Sequence, residues 1–121
     1  MSKGIILFGH GSRSAEYIEP FKRIRAVVAA GRPDLPVELG FLELTQPPLE
    51  AAIEALVAKG VTHIKVVPIF FAPGKHVLKD LPQLLGNAMD RFPTIEFEVA
   101  ACVGEVDGVI AAMAAHALGA A

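Results

Sequence analysis

Short apolar segments alternate with segments of helical periodicity along the chain, a pattern typical of an α/β domain with a mainly parallel sheet. Four strands are predicted, at about residues 4–8, 37–42, 63–71 and 95–99. The first and third are apolar on both faces, as expected of central strands, whereas the second and fourth alternate, as expected of edge strands. The predicted architecture is therefore a three-layer domain with a four-stranded sheet of order 2-1-3-4. Pro68 removes a ladder donor from the third strand and predicts a bulge or an early end to pairing.

Four amphipathic helices are predicted, beginning near Ser14, at Pro47-Pro48, near residue 80 and near residue 105. Pro20 implies that the first helix kinks or begins later, and Gly60 is expected to end the second. The third covers about residues 80–92, with Asp80 before it and Pro82 in its first turn, and the fourth covers about 105–119. Each helix is expected to turn four apolar residues toward the core. In chain order, these residues are Tyr17, Phe21, Ile24 and Val28; Leu49, Ile53, Leu56 and Val57; Leu81, Leu84, Leu85 and Met89; and Val106, Val109, Ile110 and Met113.

Composition narrows the class of protein. The 121 residues fit one domain over 1–121, and the hydrophobic content of 53% implies a large core or apolar surface covered by a partner. Apolar stretches fall short of the roughly 18 residues that span a bilayer, and the first is too brief for a secretory signal, so we expect a cytoplasmic protein with no membrane partner. Scattered basic residues and a net charge of −2 give nucleic-acid binding little support. The single cysteine, Cys102, excludes a disulfide framework and a thiolate cage, so a metal would have nitrogen and oxygen ligands.

Two histidines and a glutamate follow the predicted strands at the edge of the sheet where ligands bind. In an open parallel sheet this edge is the carboxyl end, at the switch point between strands one and three. His10, within GHGSR, follows strand one; His76, within APGKH, follows strand three; Glu43 follows strand two. Because imidazole is the commonest metal ligand, the pair predicts a metal site. Other interpretations stay open. His10 could be incidental to a tight turn, or its flanking glycines could bind a phosphate. His76 could be an exposed loop residue, and Glu43 could cap a helix or be solvated.

Other polar residues are weaker candidates. Ser12, Arg13 and Lys79 could bind a carboxylate or phosphate, although Ser12 could instead cap a helix and the lysine could be solvated. His63 and His116 are expected to be structural or surface residues, and Cys102 a small buried apolar residue.

Three segments, GIILFGHGSR, VELGFLELTQPPL and VVPIFFAPGKHVLKDLP, together resemble the short form of the class II tetrapyrrole chelatases, the CbiX/SirB group. They run from about residue 4 to residue 82, and the last third of the chain agrees only as a strand and a helix. The resemblance implies insertion of a divalent metal into sirohydrochlorin without ATP, with Co²⁺ favoured and Ni²⁺ or Fe²⁺ as alternatives, and no other cofactor. It assigns metal binding to His10 and His76 and participation to Glu43. Longer members hold two such domains, so a short form is expected to act as a homodimer with the macrocycle in its cleft.

The residues suit that chemistry independently. A tetrapyrrole loses two pyrrolic protons as the metal enters, so the site needs loose ligands for a borderline metal together with bases, and neutral histidines serve as both. We expect His10 and His76 to bind the metal, and one of them with Glu43 to accept protons. Ser12, Arg13 and Lys79 are expected to orient the substrate's carboxylates, and residues 69–73 to form an apolar wall for the ring.

Two other functions remain alternatives. A phosphoryl-transfer enzyme with a nucleophilic histidine would use a similar turn, but Gly9 occupies the position before His10 where Arg-His-Gly phosphatases have arginine. A non-catalytic carrier of metal or tetrapyrrole could use the same histidines without inserting the metal.

Overall fold

The computed structural model describes residues 2–119, which form a four-stranded parallel sheet of order β2-β1-β3-β4. The predicted fold class and strand order are confirmed. The strands are β1 (Lys3–Gly9), β2 (Val37–Phe41), β3 (His63–Pro68) and β4 (Glu96–Val99). The α-helices are α1 (Glu19–Gly31), α2 (Leu49–Ala58), α3 (Lys75–Arg91) and α4 (Asp107–Leu118), and short 3₁₀ helices lie at Ala15–Ile18 and Val103–Glu105.

Alternation along the central strands sends side chains into two apolar clusters, one on each face of the sheet. The larger cluster joins β1 and β3 to α2 and α3, and its buried members include Ile6, Phe8, Leu49, Ile53, Leu56, Ile64, Val66, Val77, Leu81 and Leu85. The smaller cluster, called the aromatic cluster below, joins β1 and β2 to α1 and consists of Leu7, Phe21, Leu39 and Phe41, with Tyr17 packed against it. Burial of both faces explains why β1 is apolar from Gly4 to Gly9.

Proline positions set the ends of two elements. β3 ends at Pro68 rather than Phe71, which confirms the early end to pairing. A 3₁₀ turn precedes α1, and α1 itself begins only at Glu19, so Pro20 lies in its first turn. Of the two alternatives for Pro20, a kink or a later start of the helix, the later start is confirmed. Ser14 occupies the N-cap position of the 3₁₀ turn, without a side-chain hydrogen bond to it. Ile24 is exposed rather than buried, so the expectation for that residue was wrong.

α3 begins at Lys75, five residues earlier than expected, so that Asp80 lies inside the helix rather than before it. Pro82 is an interior residue rather than a first-turn residue, and the expectation that it starts the helix was wrong. The missing amide hydrogen of an interior proline costs about 3 kcal/mol. That cost is offset because Val77, Leu81 and Leu85 bury one face of the helix in the larger cluster.

α4 leaves its apolar side chains uncovered. Val106, which directly precedes α4, is 41% exposed, and Ile110 and Met113 within the helix are 45% and 37% exposed. Within the described residues α4 has no fully buried side chain. The expectation that these residues face the core of the same chain was wrong, and so was the expectation for Met89, which is 47% exposed. Across residues 2–119 we find no helix that combines the length and apolarity needed to cross a membrane.

Candidate functional site

Three side chains meet at the carboxyl ends of β1, β2 and β3. His10 follows β1, Glu43 follows β2, and His76 lies in the first turn of α3. The Nε2 atoms of His10 and His76 lie 3.8 Å from Oε2 and Oε1 of Glu43, respectively. The imidazole centroids are 5.6 Å apart and the rings are nearly perpendicular, at 80°. One potential ligand atom from each residue lies within 4.8 Å of the others, so a single metal ion could contact all three.

The three side chains of this cluster are between 42% and 49% exposed. An incoming ion or a bound molecule can therefore reach the imidazole and carboxylate atoms without a large rearrangement. Imidazole nitrogen and carboxylate oxygen together suit borderline divalent metals such as cobalt, nickel and iron. The structure thus brings together the three residues selected from the sequence, and their roles in chemistry remain predictions.

Close backbone packing holds His10 next to Glu43. Gly11 has a φ of +102°, and a Cβ atom there would lie 1.6 Å from the carbonyl oxygen of Glu43. The amide of Glu43 donates a hydrogen bond to the carbonyl of His10 at 3.1 Å, and the amide of Leu42 donates to Gly9 at 3.0 Å. Only glycine permits both this φ value and this approach, which explains the residue that follows the histidine.

Two further contacts fix the same loop. The amide of Ser12 donates to Oγ1 of Thr45 at 3.0 Å, and that hydroxyl donates to the carbonyl of Ser12 at 3.1 Å. The amide of Gly11 donates to the hydroxyl of Tyr17 at 3.2 Å, while the Tyr17 ring packs on Phe21 with centroids 5.1 Å apart. The aromatic cluster under β1 and β2 therefore supports the loop that carries His10.

Asp80 is a fourth residue at this site, and the sequence patterns did not reveal it. Its Oδ2 atom lies 2.5 Å from Nε2 of His76, one helical turn earlier on α3. An i, i+4 pair of this kind is recognisable in sequence only when both residues are assigned to one helix. Because α3 was predicted to begin near residue 80, His76 was not assigned to the helix and the pair was not recognised.

The candidate residues for substrate carboxylates are placed less closely. Arg13 and Lys79 are exposed, in the loop after β1 and on α3, respectively. The hydroxyl of Ser12 accepts a hydrogen bond from the amide of Ser14 at 3.1 Å, which makes it part of a local turn. The structure places these three residues in the elements that carry the histidines, and substrate binding by them stays a prediction.

One recess includes residues of the site, and a second lies beside the segment that follows β3. A polar cleft of about 220 Å³ includes Glu43 and Asp80, and its other lining residues are Leu42, Gln83, Leu84 and Asn87. An apolar groove of about 200 Å³ extends from the segment after β3 to α4, and it is lined by Ile69, Phe70, Phe71, Val103, Gly104, Val109 and Met113. The groove contains three of the five residues expected to form an apolar wall.

The remaining histidines and the cysteine lie outside the cluster. His63 begins β3 at the opposite end of the sheet, where its ring nitrogens lie 3.3 Å from Glu96 and 3.1 Å from Glu98. The hydrogen bond from His63 lowers the pKa of Glu98. His116 is exposed on α4. Cys102 is 7% exposed, and burial, with a smaller effect of the nearby Glu105 carboxylate, raises the pKa of its thiol. These placements agree with the structural roles expected for them.

The family model described as CbiX matches residues 4–118 of this chain. The chain belongs to the CbiX family. A sirohydrochlorin cobaltochelatase from Methanosarcina barkeri is 37% identical over 95 residues, which are 78% of this chain and 73% of that protein. A sirohydrochlorin ferrochelatase from Bacillus subtilis is 31% identical over 120 residues, which are 93% of this chain and 43% of that protein.

The solved structures agree with this assignment. The sirohydrochlorin chelatase SirB from Bacillus subtilis subspecies spizizenii, crystallised in complex with cobalt, superposes with a TM-score of 0.84 at 29% identity. The superposition covers 98% of this CbiX chain and 51% of the SirB chain. The chain thus spans about half the length of that protein, as it spans 43% of the ferrochelatase.

Proposed function

We propose that this CbiX-family protein inserts a divalent metal ion into sirohydrochlorin without ATP, with Co²⁺ as the favoured metal and Ni²⁺ or Fe²⁺ as alternatives. The observation that carries the proposal is the convergence of His10, Glu43 and His76 on one accessible point at the carboxyl ends of the strands. Relatives named cobaltochelatase and ferrochelatase for the same tetrapyrrole support the reaction class.

In the proposed reaction, His10 and His76 bind the incoming metal through Nε2. Neutral imidazoles and one carboxylate hold a borderline divalent ion without the strong retention expected of thiolates, so the ion can pass to the four pyrrolic nitrogens. The two pyrrolic protons must be accepted as the ion enters. We propose that Glu43 accepts protons together with a histidine, a role supported by its two oxygens, each 3.8 Å from the Nε2 atom of one histidine.

The macrocycle would lie over the cluster and against the apolar groove after β3. Phe71 is 73% exposed there. The backbone of Gly104 packs closely against that of Phe71, so that a Cβ atom added at Gly104 would lie 2.3 Å from the Cα atom of Phe71. Burial of the flat ring on Phe70 and Phe71 would release apolar surface from water. Arg13, Ser12 and Lys79 remain the residues proposed to bind the peripheral carboxylates.

The test of this function is an anaerobic insertion assay. Purified protein is mixed with sirohydrochlorin and Co²⁺, and the absorbance change is compared with protein-free samples and with the His10→Ala/His76→Ala double variant. We expect fast insertion by the wild type and a fall to the protein-free rate in the double variant, because both proposed nitrogen ligands are removed. His116→Ala, which changes an exposed histidine outside the cluster, is the matched control. Repetition with Ni²⁺ and Fe²⁺ ranks the metals.

A wild-type rate equal to the protein-free rate with all three metals would contradict the chelatase function. Tight binding of Co²⁺ or sirohydrochlorin without insertion would instead support the carrier, and turnover of a generic phosphate ester would support the phosphoryl-transfer alternative.

We further propose that two copies of this domain act as a homodimer in the cytoplasm. The superposition on half of SirB supports a second copy in place of the second half, and the uncovered face of α4 offers apolar surface for it.

Ile110→Asp should therefore lower the molar mass in solution from that of a dimer to that of a monomer, since it places a charge on this face. Light scattering after size-exclusion chromatography measures the mass. Val27→Asp, which alters a residue 73% exposed on α1, is the control and should leave the dimer intact. A monomeric wild type, or a dimeric Ile110→Asp variant, would exclude this arrangement.

A further inference from the structure

We propose that Asp80 is a fourth ligand of the metal ion, so that two imidazoles and two carboxylates hold the ion before insertion. The inference rests on the proposed function, because it concerns the same ion and the same site. Its basis is the position of Oδ2 of Asp80, 2.5 Å from the Nε2 atom of His76 that also lies 3.8 Å from Glu43.

The distances around Nε2 of His76 suit a shared ion. Nitrogen and oxygen ligands lie about 2.0–2.2 Å from metals such as zinc, so two ligands on one ion are roughly 3–3.5 Å apart. The separations from this nitrogen, 2.5 Å to Asp80 and 3.8 Å to Glu43, fall on either side of that range. Asp80 is not among the three residues whose ligand atoms already lie within 4.8 Å of one another, so its side chain must rotate toward Glu43 for both carboxylates to reach an ion bound by His76.

The identity of the contacted nitrogen distinguishes a ligand from a supporting residue. A carboxylate that only orients a metal-binding histidine normally contacts the ring nitrogen that does not bind the metal. Asp80 instead contacts Nε2, the nitrogen that faces Glu43 and the centre of the cluster. When a metal binds there, Asp80 must either leave or join the coordination sphere, and its attachment one turn along the same helix favours joining.

Charge also favours a second carboxylate. With neutral histidines and ionised carboxylates, the three-residue cluster carries one negative charge, and Asp80 raises this to two, which matches a divalent cation. Within residues 2–119, the ion pairs of Glu43 and Asp80 are formed with His10 and His76 alone. No lysine or arginine in that part of the chain would have to be displaced. Both carboxylates also line the polar cleft of about 220 Å³, which offers the ion an approach past oxygen ligands.

Titration of the apoprotein with Co²⁺ alone tests the inference without the macrocycle. Loss of even a supporting contact to a metal ligand weakens metal binding by about 10–100-fold, so Asp80→Asn should raise the Kd for Co²⁺ at least about ten-fold. The visible absorption bands of the bound Co²⁺ should also change, because a carboxylate ligand is replaced. Asp90→Asn, at an exposed position on the same helix, is the matched control and should leave Kd and spectrum unchanged. Thermal unfolding by circular dichroism checks that both variants fold.

A His76→Ala background separates a ligand from a residue that acts only through His76. If Asp80 binds the ion itself, Asp80→Asn weakens the residual Co²⁺ binding of His76→Ala further. Equal Kd values for His76→Ala and the double variant would overturn the inference, as would unchanged or tighter Co²⁺ binding by Asp80→Asn alone. Neither of these results would contradict the proposal that insertion depends on His10 and His76. Co²⁺ binding that is absent from the wild type, or unaffected in His10→Ala/His76→Ala, would instead overturn the proposed metal site as a whole.

Discussion

Replacing Gly11 with alanine is expected to lower the rate of Co²⁺ insertion by about a hundred-fold, because misplacing a reacting group by about 1 Å can cost that much. Co²⁺ affinity should fall by about 10–100-fold, the range seen when the support of a metal ligand is lost. The added Cβ would lie 1.6 Å from the carbonyl oxygen of Glu43, a distance that no non-bonded atom pair tolerates. The φ value of +102° is also strained for alanine. The loop after β1 must therefore move away from the loop after β2, which separates His10 from Glu43.

The measurements are kcat/KM for insertion and a Co²⁺ titration, with Gly86→Ala as the matched control. Gly86 lies on α3, and a Cβ atom added there would meet nothing within 4 Å, so alanine should keep wild-type activity. The same change should raise stability by up to about 1 kcal/mol through helix propensity. Wild-type metal affinity in Gly11→Ala would show that the contact between the two loops does not set the geometry of the site.

The strand order and the three-residue cluster were predictable because both depend on short-range patterns. Strands whose sequences are largely apolar on both faces are expected to be central, and that expectation alone places β1 beside β3. Once they are adjacent, the residues that follow them meet at one edge of the sheet, which brings His10 and His76 together on sequence grounds alone. Glu43 followed from the same rule applied to β2.

Asp80 was not predictable in the same way, because its role depends on where α3 begins. A proline is a common signal for the first turn of a helix, so Pro82 suggested a start near residue 80. The energy that overrides this signal is tertiary: Val77, on the turn before Asp80, is buried in the larger cluster. Periodicity within α3 could not show that the sheet stabilises those five additional residues.

The face of α4 illustrates a second limit. Helical periodicity suggested that Val106, Val109, Ile110 and Met113 share an inward apolar face. It does not identify what covers that face, and in this chain Val106, Ile110 and Met113 remain 37–45% exposed. The close contact between Gly11 and Glu43 was also not predictable from local patterns, because it joins two loops that are distant in sequence.

Phe41→Ala is expected to destabilise the protein by about 3–5 kcal/mol, the range measured for large aromatic residues replaced by alanine in protein cores. Phe41 ends β2, is fully buried, and packs edge-on against Phe21 and Tyr17 with centroids 5.0 Å and 5.9 Å away. Its removal leaves a cavity in the aromatic cluster, in a fold whose total stability is expected to be about 5–15 kcal/mol. Urea denaturation measures the loss.

The same substitution should also weaken metal binding at the functional site, because the aromatic cluster supports the loop that carries His10. Tyr17 loses a ring neighbour, and its hydroxyl is the acceptor for the amide of Gly11. Co²⁺ affinity should therefore fall even at temperatures where Phe41→Ala remains folded. Val27→Ala, at a position 73% exposed on α1, should change stability by no more than about 0.5 kcal/mol and leave Co²⁺ affinity unaltered. A destabilised Phe41→Ala variant that binds Co²⁺ normally would mean that the loop contacts between Gly11, Glu43 and Thr45 hold His10 without the aromatic cluster.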